Sequence, residues 1–77
     1  MKALIWSRDY CIYCEHAKML LNEKGVQYEE RKIGGTWTKE QLLESVPTAK
    51  SVPQIFIDGQ HIGGYKELRE YFDKLGA

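Results

Sequence analysis

The chain has little of most features that would assign it a partner. Among 77 residues, eleven Lys and Arg balance eleven Asp and Glu. A net charge of zero suits neither nucleic acid nor an anionic membrane surface as the main partner. No apolar run approaches the ~18 residues that a membrane-spanning helix needs. The stretch after Met1-Lys2 is too short for the apolar core of a secretory signal, so a cytoplasmic location is the expectation. Proline occurs twice and cysteine twice. Two cysteines are too few for a closed zinc site, and no metal site is expected. Gly59, Gly63 and Gly64 do not form the G-x-G-x-x-G of a dinucleotide-binding turn. Repeats, linkers and low-complexity tracts are absent, so residues 1–77 read as a single domain. A domain of this size buries little more than ~60% of its unfolded surface, and modest stability follows.

What the chain does have is regular punctuation. Ala3-Leu4-Ile5-Trp6 is apolar at every position, as expected of a central strand covered on both faces, and the first strand reads as Lys2–Trp6. Ser7-Arg8-Asp9-Tyr10 follows as a loop. A helix then runs from about Cys11 to Lys24, with Tyr13, Ala17, Leu20 and Leu21 at core-facing spacing and Glu15, Lys18, Asn22 and Glu23 facing away. Gly25 stops it. Val26–Lys32 alternates, is more polar and reads as an edge strand, broken by Gly34-Gly35. A strand–helix–strand run of this length implies a parallel, right-handed crossover. Thr38 with Gln41 three later has the form of a capping box. Trp37 and Leu42 can staple that helix start, and Leu42, Leu43 and Val46 face inward before Pro47 ends the element. Val52–Ile57 reads as a third strand opened by Pro53. Asp58-Gly59 is a hairpin signal, and Gln60–Ile62 returns as a fourth strand. Gly63-Gly64 leads into a last helix, Tyr65 to about Leu75, with Leu68, Tyr71, Phe72 and Leu75 as its buried stripe. The order is β-α-β-α-β-β-α, an α/β fold with a four-stranded mixed sheet and helices on both faces.

The two cysteines stand at Cys11 and Cys14, where a strand feeds a short loop and the loop feeds a helix. A helix start offers unpaired N–H groups and the positive end of the helix dipole. A thiolate there is stabilised, so the Cys11 thiol is expected to ionise well below the range of a free cysteine. Cys14, one turn on, can reach back and close a disulfide. In a reducing compartment a lone cysteine pair is more often catalytic or metal-binding than structural, and so short a loop would staple the chain weakly. C-x-x-C beside a βαβ pattern reads as a thioredoxin-like redox motif. His16 lies about 140° round the helix from Cys11 and points elsewhere. His61 reads as a strand-surface residue.

Three separated motifs, Cys11-Ile12-Tyr13-Cys14, Ser51-Val52-Pro53-Gln54-Ile55-Phe56-Ile57 and His61-Ile62-Gly63-Gly64-Tyr65, resemble those of the glutaredoxins, which have a thioredoxin-like fold. The resemblance covers nearly all of the chain. Its compact length and its Leu68-Arg69-Glu70-Tyr71-Phe72 ending resemble short bacterial and phage members. The resemblance implies Cys11 as the attacking thiol and Cys14 as the resolving one. It implies a cis Val52–Pro53 bond and a Val52 backbone that pairs with glutathione beside Cys11. Gly64 would bring backbone close to that ligand. Backbone N–H groups near Tyr65 and Lys66 would hold its γ-glutamyl carboxylate, and Tyr13 would line the groove. Arg8, where the family usually has lysine, would support the Cys11 thiolate or bind the glycyl carboxylate. The implied co-substrate is glutathione, with no permanently bound cofactor. The implied partners are disulfide-bearing client proteins, ribonucleotide reductase among them, and the implied state is a monomer. The chain departs from the common family pattern at Ile12 (usually proline), at Ser51 (usually threonine), and at Lys66-Glu67, where two acids are frequent.

Two alternatives stand beside this reading. One is a redoxin reduced by thioredoxin reductase. The other is a dimer sharing a [2Fe–2S] cluster through Cys11 and glutathione, which needs four ligands drawn from two chains and two glutathiones.

Overall fold

The computed structural model describes residues 1–76. Seven elements follow the order read from the sequence: β1 (Lys2–Arg8), α1 (Ile12–Glu23), β2 (Gln27–Ile33), α2 (Lys39–Ser45), β3 (Gln54–Ile57), β4 (Gln60–Gly63) and α3 (Tyr65–Gly76). The strands form one sheet in the order β2-β1-β3-β4. β1 pairs parallel with β2, which lies at the edge, and antiparallel with β3; β3 pairs antiparallel with β4.

Local chemistry accounts for most boundaries. α1 ends in a Schellman motif: Val26 N–H donates to Leu21 C=O at 2.9 Å and Gly25 N–H to Asn22 C=O at 3.0 Å, with Gly25 at φ 71°. Leu21 and Val26 then meet in the core, the apolar contact that accompanies this motif. The Thr38–Gln41 capping box is complete. Gln41 N–H donates to Thr38 Oγ1 at 3.2 Å, and Thr38 N–H donates to Gln41 Oε1 at 2.8 Å. Asp58 and Gly59 both have positive φ, 50° and 84°, as a type I′ hairpin requires.

Several boundaries move. β1 runs on through Ser7 and Arg8, because β2 continues to pair with it there (Ser7↔Lys32, Arg8↔Ile33). β3 begins at Gln54, since pairing with β1 starts at Trp6↔Gln54; Val52 and Pro53 lie outside the ladder. The Val52–Pro53 peptide is cis, as the family resemblance implied.

The two faces of the sheet are covered unequally. α1 and α3 enclose a core of Ala3, Ile5, Ala17, Leu20, Leu21, Val26, Ile55, Ile57, Leu68 and Phe72. α2 covers one end of the other face with Leu42 and Val46 over Trp6, and Trp37 packs edge-on to Trp6 at 5.4 Å. Arg31 of the edge strand lies over both indoles, 4.2 Å from the Trp37 centroid and 5.2 Å from that of Trp6. Such cation–π contacts contribute ~0.5–1 kcal/mol at exposed sites and more when desolvated. Leu4, on the stretch of this face that α2 does not reach, is only half-buried.

Three facing assignments are corrected. Tyr13 is 59% exposed, because Cys14 takes the inward position in the first turn of α1. Leu75 is also exposed, near the end of α3. Lys18 does not face away. Its side chain is 16% exposed, with Nζ 3.0 Å from Glu30 Oε2 and 2.8 Å from Glu15 Oε2.

Candidate active site

Cys11 is the N-cap of α1, with extended backbone (φ −121°, ψ 104°). Its side chain stands where Ser, Thr or Asp usually accepts from the first turn. The acceptor here is sulfur: Cys14 N–H points at Cys11 Sγ across 3.2 Å. The preceding residue, Tyr10, has φ 58°, which turns the chain out of β1 and into the cap. Cys11 and Cys14 are joined as a disulfide. Cys11 retains 8% of its surface and Cys14 none, so only Cys11 can be approached from outside.

Val52 arrives from the opposite side of the site. Its carbonyl oxygen lies 3.8 Å from Cys11 Sγ, although the two residues are 41 apart in sequence. From there a cleft of about 300 Å³ opens, lined by Tyr13, Ser51, Val52, Pro53, Gly64, Tyr65, Lys66 and Glu67. The structure therefore brings Tyr13, Val52, Pro53, Gly64, Tyr65 and Lys66 together in one cleft, which Val52 joins to Cys11. It does not bring Arg8 into that cleft. Arg8, exposed at the end of β1, lines a neighbouring groove that shares Ser51 and Val52 with it.

The cleft also holds Ser51 and Glu67, from two stretches where the chain departs from the common family pattern. Glu67 Oε1 accepts from Gly64 N–H at 2.9 Å, closing the start of α3 from within the cleft. This contact explains both glycines before it. A Cβ on Gly63 would sit 2.9 Å from Glu67 Cγ, and the φ of Gly63 is +126°. A Cβ on Gly64 would come within 3.3 Å of Glu67 Oε1 and 3.5 Å of the Pro53 carbonyl. A glutamate three residues after Gly64 could have signalled this cap, since a side chain returning to the N-cap N–H is one half of a capping box.

The cleft wall is aromatic. Tyr13 and Tyr65 lie nearly parallel with centroids 6.2 Å apart, and His16 stands edge-on behind them at 6.1 and 5.6 Å. His16 is thus exposed, as read from the sequence, but its ring buttresses two cleft residues. A larger groove of about 400 Å³ runs behind it between α1 and α3 and does not include Val52.

Below α1, Ser7, Glu30 and Lys18 connect β1, β2 and the redox helix. The fully buried Ser7 hydroxyl donates to Glu30 Oε2 at 2.6 Å, and Lys18 Nζ donates to the same oxygen. Burial alone would raise the Glu30 carboxyl, but the hydrogen bonds from Ser7 and Lys18 outweigh it and hold it below the usual carboxylate value. The hydrogen bond to Glu15, with further help from Glu30, holds the Lys18 ammonium above its ordinary value, against the opposing effect of burial. Among the described residues, no group of three or more His, Cys, Asp or Glu is placed to hold a metal ion.

A parallel β1-α1-β2 unit joined to an antiparallel β3-β4 hairpin, with a cysteine pair at the N-terminus of α1 facing a cis-proline turn, defines a dithiol protein of the thioredoxin-like fold. The Glutaredoxin family model matches residues 3–62. Over 64 residues the chain is 44% identical to Glutaredoxin 3 of Escherichia coli K12, covering 83% of this chain and 77% of that one. The crystal structure of Glutaredoxin 1 from Francisella tularensis complexed with cacodylate superposes with a TM-score of 0.82 at 32% identity, over 96% of this chain and 94% of that one. A buckwheat glutaredoxin–glutathione complex superposes with a TM-score of 0.81 at 28% identity, over 94% and 68%. The chain belongs to the glutaredoxin family.

Proposed function

We propose that the protein is a glutathione-dependent thiol–disulfide oxidoreductase that acts on protein disulfides and on glutathione mixed disulfides. The observation that supports this reading best is the place of Cys11 Sγ. It sits at the cap of α1, under the Cys14 N–H, and beside the Val52 carbonyl at the head of the cleft.

In the reduced protein the Cys11 thiolate attacks one sulfur of a client disulfide. The client S–S bond breaks, a Cys11–client bond forms, and the departing client thiolate takes a proton. Cys14, as thiolate, then attacks Cys11 Sγ. The mixed disulfide breaks, the second client sulfur leaves and is protonated, and Cys11–Cys14 carries the two-electron oxidation. Two glutathione thiols reverse this in successive exchanges and leave as glutathione disulfide. Cys14 is the resolving residue because it is fully buried and can reach only Cys11.

Glutathione fits the cleft by its chemistry. Its extended backbone would pair with Val52, which lies outside the ladder. Its γ-glutamyl carboxylate would meet the N–H groups of Tyr65 and Lys66 at the start of α3. Lys66 adds a cation there, and Glu67 is the one acid within reach of the ammonium. Tyr13 and Tyr65 would flank the ligand, and Arg8 would reach the glycyl end from the adjoining groove. The protein acts in this reading as a cytoplasmic monomer, with ribonucleotide reductase among its clients.

Turnover of a glutathione mixed disulfide tests the proposal. Cys11→Ser is expected to abolish it. Cys14→Ser is expected to retain deglutathionylation and lose reduction of protein disulfides. Activity surviving Cys11→Ser would overturn the assignment. Thioredoxin reductase replacing glutathione as the efficient electron source would overturn the glutathione dependence.

A further inference from the structure

We propose that His16 is a positioning residue of the redox cleft: its ring holds the Tyr13–Tyr65 wall from behind and thereby sets the affinity for glutathione without touching it. The proposal rests on the glutathione reading above. His16 is exposed on α1 and does not line the cleft. It lines instead the groove of about 400 Å³ between α1 and α3, together with Tyr65 and Arg69. Tyr65 borders both depressions, so its ring is a partition between them. Tyr13 stands on the cleft side of that partition and His16 on the groove side.

Two observations separate His16 from an ordinary surface histidine. First, its one ring meets aromatic residues from two elements. Tyr13, three residues earlier on α1, has its centroid 6.1 Å away at 87°, and Tyr65, the first residue of α3, lies 5.6 Å away at 64°. Both are edge arrangements within the range that aromatic pairs prefer. The spacing of three makes Tyr13 and His16 neighbours on one helix face. Second, the two tyrosines are held unequally. Tyr65 packs against the core, and its hydroxyl accepts from Arg69 Nη1 at 3.3 Å. Tyr13 is 59% exposed, and its aromatic neighbours among the described residues are Tyr65 and His16. Without the imidazole, Tyr13 keeps one such neighbour, and the groove gives Tyr65 room to lean away. A wall that must be ordered as the ligand arrives weakens binding, whereas a preassembled wall does not. Ordering one such side chain corresponds to about threefold to tenfold in affinity.

The test is an NMR titration with reduced glutathione of the full chain carrying Cys11→Ser, in which the attacking sulfur is absent. Adding His16→Ala, a helix-favouring change at an exposed position, is expected to raise Kd about threefold to tenfold. His16→Phe, which keeps a ring there, is expected to restore most of the affinity. In a Tyr13→Ala background most of the effect of His16→Ala should vanish, because the side chain it holds is gone. With Cys11 present, the loss is expected in the KM for a glutathionylated peptide rather than in kcat. A Kd indifferent to His16→Ala would overturn the proposal. So would an equal loss with and without Tyr13, which would mean that His16 acts on the ligand or on the helix itself. A Phe variant as weak as the Ala variant would also overturn it, since a polar contact and not the ring would then be at work. No glutathione binding by the Cys11→Ser parent would sink the glutathione reading and this proposal with it, whereas intact binding indifferent to His16 would sink this proposal alone.

Discussion

The backbone N–H of Cys14 points at the sulfur of Cys11 across 3.2 Å, so the first turn of α1 is capped by the atom that attacks in the proposed mechanism. In the reduced protein the same N–H and the end of the helix dipole both favour the thiolate over the thiol. Titration of the reduced protein by thiolate absorbance should therefore give a Cys11 pKa clearly below that of a free cysteine. In a Cys14→Ser variant, which keeps the N–H, the low value should persist. An ordinary free-thiol value in both proteins would remove the physical basis of the proposed reactivity.

Gly63→Ala should destabilise the protein by roughly 1–3 kcal/mol, the cost of forcing a side chain into a backbone region few residues tolerate. The new Cβ would also crowd Glu67 and break its bond to Gly64. Urea unfolding of Gly63→Ala alone and combined with Glu67→Ala separates the two effects. Part of the loss should be recovered in the double variant, and strict additivity would show that backbone conformation alone sets the cost.

Glu30 links acid stability to the redox helix. Its carboxyl is held below the ordinary value of 4.5. Its contribution is thus present above that pH and is lost as pH falls through the folded-state value below it. Glu30→Gln should lower stability at neutral pH by about 1–2 kcal/mol, between the values typical of exposed and of buried ion pairs. The gap to wild type should narrow in acid. Thermal unfolding between neutral pH and pH below 4.5 checks this, and a gap of constant size would mean that packing, not charge, explains the effect. Lys18 works in the opposite sense. Its raised value makes its contribution full below 10.5 and lost as pH rises through the folded-state value above that.

Leu21→Ala should cost roughly 2–5 kcal/mol, because Leu21 is fully buried between α1 and the sheet and also completes the Schellman contact with Val26. In so small a domain that is a large part of the total stability. Calorimetry would show it as a large fall in Tm, and a change of only a few degrees would mean that the core collapses to fill the cavity.

By itself the sequence determined the order of elements, their caps and the place of the cysteine pair, because each of these is written in chemistry a few residues long. Thr38 and Gln41 satisfy each other within one turn, Asp58-Gly59 supplies its own positive φ, and Gly25 ends α1 where the apolar spacing stops. The cleft around Val52 and Tyr65 was named only through resemblance to a family. Tertiary structure alone decided which side chains meet. Helical spacing alone did not tell that Cys14 would be inside and Tyr13 outside. It gave no sign that Lys18 would reach a glutamate on a neighbouring strand, since a long flexible stem reaches well beyond its own face. Arg8, at the end of β1, lines a groove beside the cleft, and only the fold decides that the two share Ser51 and Val52. A local pattern fixes the direction of a backbone, whereas a site is a coincidence in space of residues tens of positions apart.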